Sequence, residues 1–139
     1  MPLYLTQQAF ARGDTKRTRI LLDFAAAVAS QARPGDKSLD YTFQEAWIRA
    51  AIGDTAIAIG LLDNVLGALP SFSADNLQEV GAAAASAQAM ILRSRLAQAR
   101  GDVKTARQWA RAASLLWGTA DASVRASAKD VWLLARNAE

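Results

Sequence analysis

Apolar residues recur along this chain at helical rather than strand spacing. The clearest stripe is Ala58, Leu61, Leu62, Val65 and Leu69, which predicts a helix over Thr55–Leu69 with one face turned to a core. Ile20, Leu21, Phe24 and Val28 form a similar stripe within a predicted helix Thr15–Gln31. Val103, Ala106, Ala110, Ala113 and Trp117 do so within Val103–Trp117. Val124, Ala128, Val131, Leu134 and Ala135 do so within a last helix, Ala122–Asn137, suited to closing a stack of helices. Further helices are expected over Leu3–Arg12, Leu39–Ile52 and Leu77–Arg100, about seven in all. No segment alternates apolar and polar residues as a half-buried strand would.

The helices are punctuated by one recurring pair: Gly13-Asp14, Gly53-Asp54 and Gly101-Asp102. Glycine adopts the left-handed conformation that ends a helix, and aspartate accepts backbone N–H groups at the start of the next. Each pair is therefore read as the joint of a helical hairpin, and all three aspartates as helix caps rather than catalytic carboxylates. Loops are expected at Pro34–Ser38 and Ser71–Asn76, with Pro70 stopping the fourth helix. The result is one all-α domain spanning 1–139: antiparallel hairpins over about 3–31, 39–69 and 77–117, then a closing helix over about 122–137.

Composition sharpens this picture. Apolar residues make up 52% of the chain, but much of that share is alanine and only ten residues are aromatic. Alanine favours helix and lets neighbouring backbones come close, as in the run Gly81–Ala85.

The hairpins resemble tetratricopeptide repeats, a helix–turn–helix motif of about 34 residues with small residues at fixed positions and a terminal proline. The second hairpin carries the likeness best, with Gly53-Asp54 at the turn, Ala58 at the small position of the second helix and Pro70 at the end. In the third, Ala106 and Ala113 match the small positions while Gly118 replaces the proline; in the first, Ala25 matches one position and Thr18 stands at the other. The joints are spaced more widely than the motif. The large residues of its first helix are missing from the second and third hairpins, where Ala46 and Ser94 keep only the small position. The resemblance implies a short right-handed solenoid that binds a ligand in the groove lined by the first helix of each hairpin. The overall texture is also similar to helical-repeat portions of large bacterial signalling proteins.

The chain has no cysteine and no histidine, which removes disulfides, thiol nucleophiles, the commonest general base and the commonest metal ligands. No phosphate-binding glycine loop, nucleophile elbow or spaced carboxylate set is present, so neither enzyme activity nor a cofactor or metal is expected. A net charge of +3 is a mild bias. No apolar run reaches the ~18 residues of a membrane span, and the N-terminus lacks a signal-peptide pattern. A cytoplasmic chain is the expectation.

Mapped from the joint glycines, the groove surface is expected to hold Gln7 and Phe10 in the first hairpin and Phe43 and Trp47 in the second. Gln88, Arg95 and Gln98 fall there in the third. Phe43, Trp47, Gln88, Arg95 and Gln98 are therefore the candidate partner-binding residues, aromatic and arginine side chains being those that anchor interfaces. Phe43 and Trp47 could instead fill the space between hairpins. The implied function is a scaffold that binds a peptide or partner subunit. One alternative is a permanent subunit of a larger assembly. Another is a nucleic-acid or phospholigand binder using Arg93, Arg95, Arg100, Lys104, Arg107 and Arg111, although such a face is commonly just solvated and only Trp109 offers a ring for base stacking.

Overall fold

The computed structural model describes residues 3–29, 39–68, 80–117 and 126–136. Seven helices occupy them, with no strand among the described residues: α1 Leu3–Ala11, α2 Thr15–Ala29, α3 Leu39–Ala51, α4 Thr55–Ala68, α5 Val80–Ala99, α6 Val103–Trp117 and α7 Lys129–Arg136. The predicted boundaries of the first six helices hold within a few residues, whereas the last helix begins at Lys129 rather than Ala122, with 122–125 outside the described residues. The expected loops, Leu69, Pro70 and Val124 lie outside the described residues, as does the side chain of Trp117.

The three joints are built alike. Gly13, Gly53 and Gly101 have φ of 74°, 92° and 78°, the left-handed region open to glycine at little cost. At each, the glycine N–H donates to the carbonyl three residues back and the aspartate N–H to the carbonyl five residues back. Asp14 reaches Ala9 at 3.0 Å, Asp54 reaches Arg49 at 2.8 Å and Asp102 reaches Ala97 at 3.0 Å. These bonds satisfy the last carbonyls of the outgoing helix. The same aspartate's carbonyl then accepts the first helical bond of the incoming one, from Thr18, Ala58 and Ala106. One residue thus closes one helix and opens the next. Each joined pair, α1–α2, α3–α4 and α5–α6, packs along its length.

The aspartate side chains diverge. Asp14 accepts from the backbone N–H of Arg17 at 3.0 Å and Asp102 from that of Thr105 at 3.1 Å, as caps should. The third carboxylate, Asp54, was expected to cap and instead faces two guanidinium groups, those of Arg19 on α2 and Arg49 on α3.

Small buried residues set the spacing within hairpins. Thr18, Ala58 and Ala106, each five residues past its joint glycine, are fully buried. So are Thr6, Ala46 and Ser94, seven residues before it. The Ser94 hydroxyl donates to the Ala106 carbonyl at 2.7 Å, a direct tie across the third hairpin. Between hairpins the core is apolar around α5. One cluster joins Ala46, Ala58, Leu62, Leu66 and Ala89, with Trp109 packed against it; a second joins Ile91, Ala110, Ala113, Ala128 and Val131. Each large aliphatic side chain fully buried there, such as Leu62, stabilises by roughly 1.5–3 kcal/mol.

The first hairpin belongs to neither cluster, and ion pairs and hydrogen bonds tie it to the second beside the Phe10–Trp47 ring contact. Arg19 grips both oxygens of Asp54 at 3.0–3.1 Å and donates to the Ile52 carbonyl at 3.2 Å. Arg49, nearly fully buried, binds Asp23 at 2.8 Å and Asp54 at 3.2 Å. Arg49 occupies the place, four residues before the joint glycine, where the other hairpins have buried Ala9 and Ala97. Of the stripe expected on one face of α2, Ile20, Phe24 and Val28 are about half exposed and Leu21 is partly buried, while Leu22 is the fully buried residue. Val103, expected in the core, is likewise exposed.

Three outcomes follow from this construction. A Cβ on Gly101 would meet nothing within 4 Å, so Gly101→Ala carries a purely conformational penalty of about 1–2 kcal/mol, readable by urea denaturation. Ala113→Phe overpacks a fully closed position and lowers stability by about 1–3 kcal/mol or more; an unchanged melt would place Ala113 away from the α5–α6 contact. The third concerns pH. Hydrogen bonding from Arg19, reinforced by Arg49, holds the Asp54 carboxyl below its ordinary range against the opposing effect of burial. A depressed folded pKa means that the ion pairs contribute fully above the unfolded carboxylate range and are lost as pH falls through the folded value. Stability should therefore fall as pH drops below the ordinary carboxylate range, about pH 4, and Asp54→Asn should flatten that slope relative to the parent. An equal slope in parent and variant would show that Asp54 is not the sensitive group.

Candidate functional site

The five residues singled out from the sequence do not end up in equivalent settings. Phe43 sits partly buried against the Ala46–Leu62 cluster, so its ring contributes to the core. One helical turn later the face has rotated by about 40°, enough to bring Trp47 out to the surface. Trp47 is 47% exposed and meets Phe10 of α1 edge to face, with ring centroids 5.4 Å apart and planes at 75°. Such aromatic pairs contribute about 0.5–1.5 kcal/mol beyond the area they bury. Beside them the Gln7 amide donates to Gln44 Oε1 at 2.7 Å. This surface thus spans the polar junction between the first two hairpins and combines one half-exposed indole with two amide side chains. Gln88 stands exposed on α5.

Arg95 and Gln98 fall together in a cleft of about 540 Å³ between α5, α6 and α7. The helices place its walls simply. α5 ends at the Gly101 joint, and α6 doubles back along it. α7 then packs on α6, with its N-terminal turn brought over Arg95. Arg95 Nε and Nη2 bind both oxygens of Asp130 at 3.0 Å, and Nη2 also donates to the Ser127 carbonyl at 2.9 Å. The fork-to-fork geometry holds the Asp130 carboxyl below its ordinary range. Val103, Val131, Leu133 and Leu134 supply the apolar lining. Arg107 reaches the same cleft from α6. Its Nε is shielded from solvent and has no hydrogen-bond acceptor among the described residues.

The basic cluster is therefore not a uniform charged face. Arg93 is bound to Asp63 at 2.7 Å and Arg95 to Asp130, while Arg111 also has an interaction of its own. Trp109, the ring considered for base stacking, packs against the core between the second and third hairpins. Helical spacing puts Lys104, Arg107 and Arg111 on one face of α6. It could not reveal the acids, which come from 30 to 35 residues away.

Among the described residues, no three acidic side chains gather as a metal site would require, and no helix is long and apolar enough to cross a membrane. Compared with known proteins, the chain matches no protein-family model, no curated protein and no solved structure.

Proposed function

We propose that this domain is a protein-interaction scaffold of the tetratricopeptide-like kind, docking a peptide or a segment of a partner protein across the first helices of its hairpins. The observation that carries this reading is the Phe10–Trp47 pair. In a chain whose core is built mainly from alanine and leucine, a tryptophan left half exposed at the junction of two hairpins is a poor use of apolar area for stability alone. An indole in that position offers a partner a large, rigid surface that loses little conformational freedom on binding. Gln7 and Gln44 beside it can bond to a partner's backbone amides. Reading the molecule as a nucleic-acid binder is less well supported, because Arg93 and Arg95 are each neutralised by an aspartate and Trp109 is packed inward.

The test is selection of binding peptides from a displayed random library, followed by affinity measurement on the selected peptides made synthetically. Trp47→Ala should weaken binding by about thirtyfold, the loss typical of removing an interfacial hot spot, while the circular dichroism melt stays close to that of the parent. Equal affinity for the parent and the folded variant would remove the aromatic pair from the binding surface.

A further inference from the structure

The cleft between α5, α6 and α7 contains a charge that the fold does not use. Three kinds of group line it. The first is the Arg95–Asp130 pair, which is electrically neutral and closed on itself by a two-point hydrogen-bonded fork. The second is apolar: Val131 is fully buried, whereas Val103 and Leu133 are 45% and 54% exposed. The third is Arg107. No hydrogen bond or ion pair reaches it among the described residues, and its Nε is out of contact with solvent. That N–H is closed to solvent and therefore to a ligand, but Arg107 as a whole is only partly buried and lines the cleft, so the accessible part of its side chain is what a ligand would meet. Arg19, Arg49, Arg93 and Arg95 each have a carboxylate supplied by the chain itself, although Arg49 Nε, like that of Arg107, is buried without an acceptor.

We infer that this cleft is a binding site for a small aliphatic monocarboxylate, its carboxylate on Arg107 and its hydrocarbon body against Val103, Leu133 and Leu134. Charge balance selects the monoanion. Among the described residues that line the cleft, Arg107 is the cation without a carboxylate and the Arg95–Asp130 pair is neutral, so one carboxylate leaves that lining neutral. A phosphate dianion would place an extra negative charge close to Asp130. Shape agrees, since about 540 Å³ lies within the ~300–1,000 Å³ of pockets that hold small organic ligands. The half-exposed valine and leucine give the ligand's chain an apolar surface to cover, and the planar fork of arginine matches the two oxygens of a carboxylate. This site is separate from the Phe10–Trp47 surface and does not depend on it.

Calorimetric titration of the full chain decides the matter, with octanoate, octanol, octyl phosphate and a terminally blocked Leu-Glu-Leu peptide as probes. Octanoate should bind with a sub-millimolar Kd, and octanol and octyl phosphate should bind more weakly. Arg107→Gln should weaken octanoate by about tenfold or more, as expected when a charge-assisted partner is lost, while Arg107→Lys recovers part of the affinity. Trp47→Ala should leave octanoate binding unchanged. Melting curves establish that each variant is folded. Octanol binding as tightly as octanoate, or Arg107→Gln binding octanoate as the parent does, would overturn the role of the arginine. Tighter binding of octyl phosphate would overturn the charge-balance argument. Binding of the peptide without octanoate would reassign the cleft to an acidic segment of another protein, and binding of none of the four would overturn the site.

Discussion

Everything in this molecule is phased by a glycine in the left-handed conformation followed by an aspartate. The pair leaves no room for adjustment. The glycine turns the chain, the aspartate N–H closes the outgoing helix, and its carbonyl starts the incoming one within the same residue. Two helices joined so tightly have their relative rotation fixed, so a given distance from the glycine always means a given side of the hairpin. That is why the residues five positions after the glycine and seven before it are small and buried in all three hairpins. It is also why alanine, which contributes little apolar area per residue, is enough: close backbone approach replaces side-chain volume as the source of contact.

The joints determine each hairpin but not how hairpins meet, and the two kinds of junction differ in physics. α3 and α4 bury alanine and leucine against α5, with the Arg93–Asp63 ion pair added at the edge of that apolar contact. The first hairpin is held to the second by Arg49, placed where alanine would sit, and by Arg19, with Asp23 and Asp54 between them. A buried arginine contributes less to net stability than its contacts suggest, because its desolvation offsets much of the attraction. What it supplies is register, since guanidinium and carboxylate fit in few arrangements. An apolar face would tolerate sliding of one hairpin on the next; this network does not. The Phe10–Trp47 contact lies across that same junction, so the geometry of the exposed indole depends on the ion pairs.

Much of the architecture was legible in the sequence, for a physical reason. Gly-Asp is a local signal, since its meaning depends only on backbone preferences within a few residues, and it located all three turns and the helix ends around them. The stripe of α2 was misread because spacing alone says that Ile20, Phe24 and Val28 share a face, not which face the neighbours cover. Leu22 was buried in their place by the phase of the joint, which the stripe did not respect. The ion pairs were not legible at all. Asp23 with Arg49, Asp63 with Arg93 and Arg95 with Asp130 join groups far apart in sequence, and nothing local to either partner announces the other. For the same reason the basic run looked like one surface until its acids were located.

Comparing equivalent positions shows how one backbone plan carries different chemistry. Six residues before each joint glycine stand Gln7, Trp47 and Arg95. The helices present them alike, yet Gln7 bonds to an amide of α3, Trp47 meets a ring of α1 and Arg95 grips a carboxylate of α7. Three before the glycine stand Phe10, Ala50 and Gln98. Here the fold demands only that the position lie beside the adjoining helix. The buried small positions are a different case: Thr6, Ala46 and Ser94 vary only within what close packing admits. A hairpin array of this kind separates the two demands along each helix, with the positions seven before and five after the glycine held to small groups and the outer ones free in composition. Trp47 belongs to that outer set, which is why the fold admits a half-exposed indole at a position where the other hairpins carry glutamine and arginine.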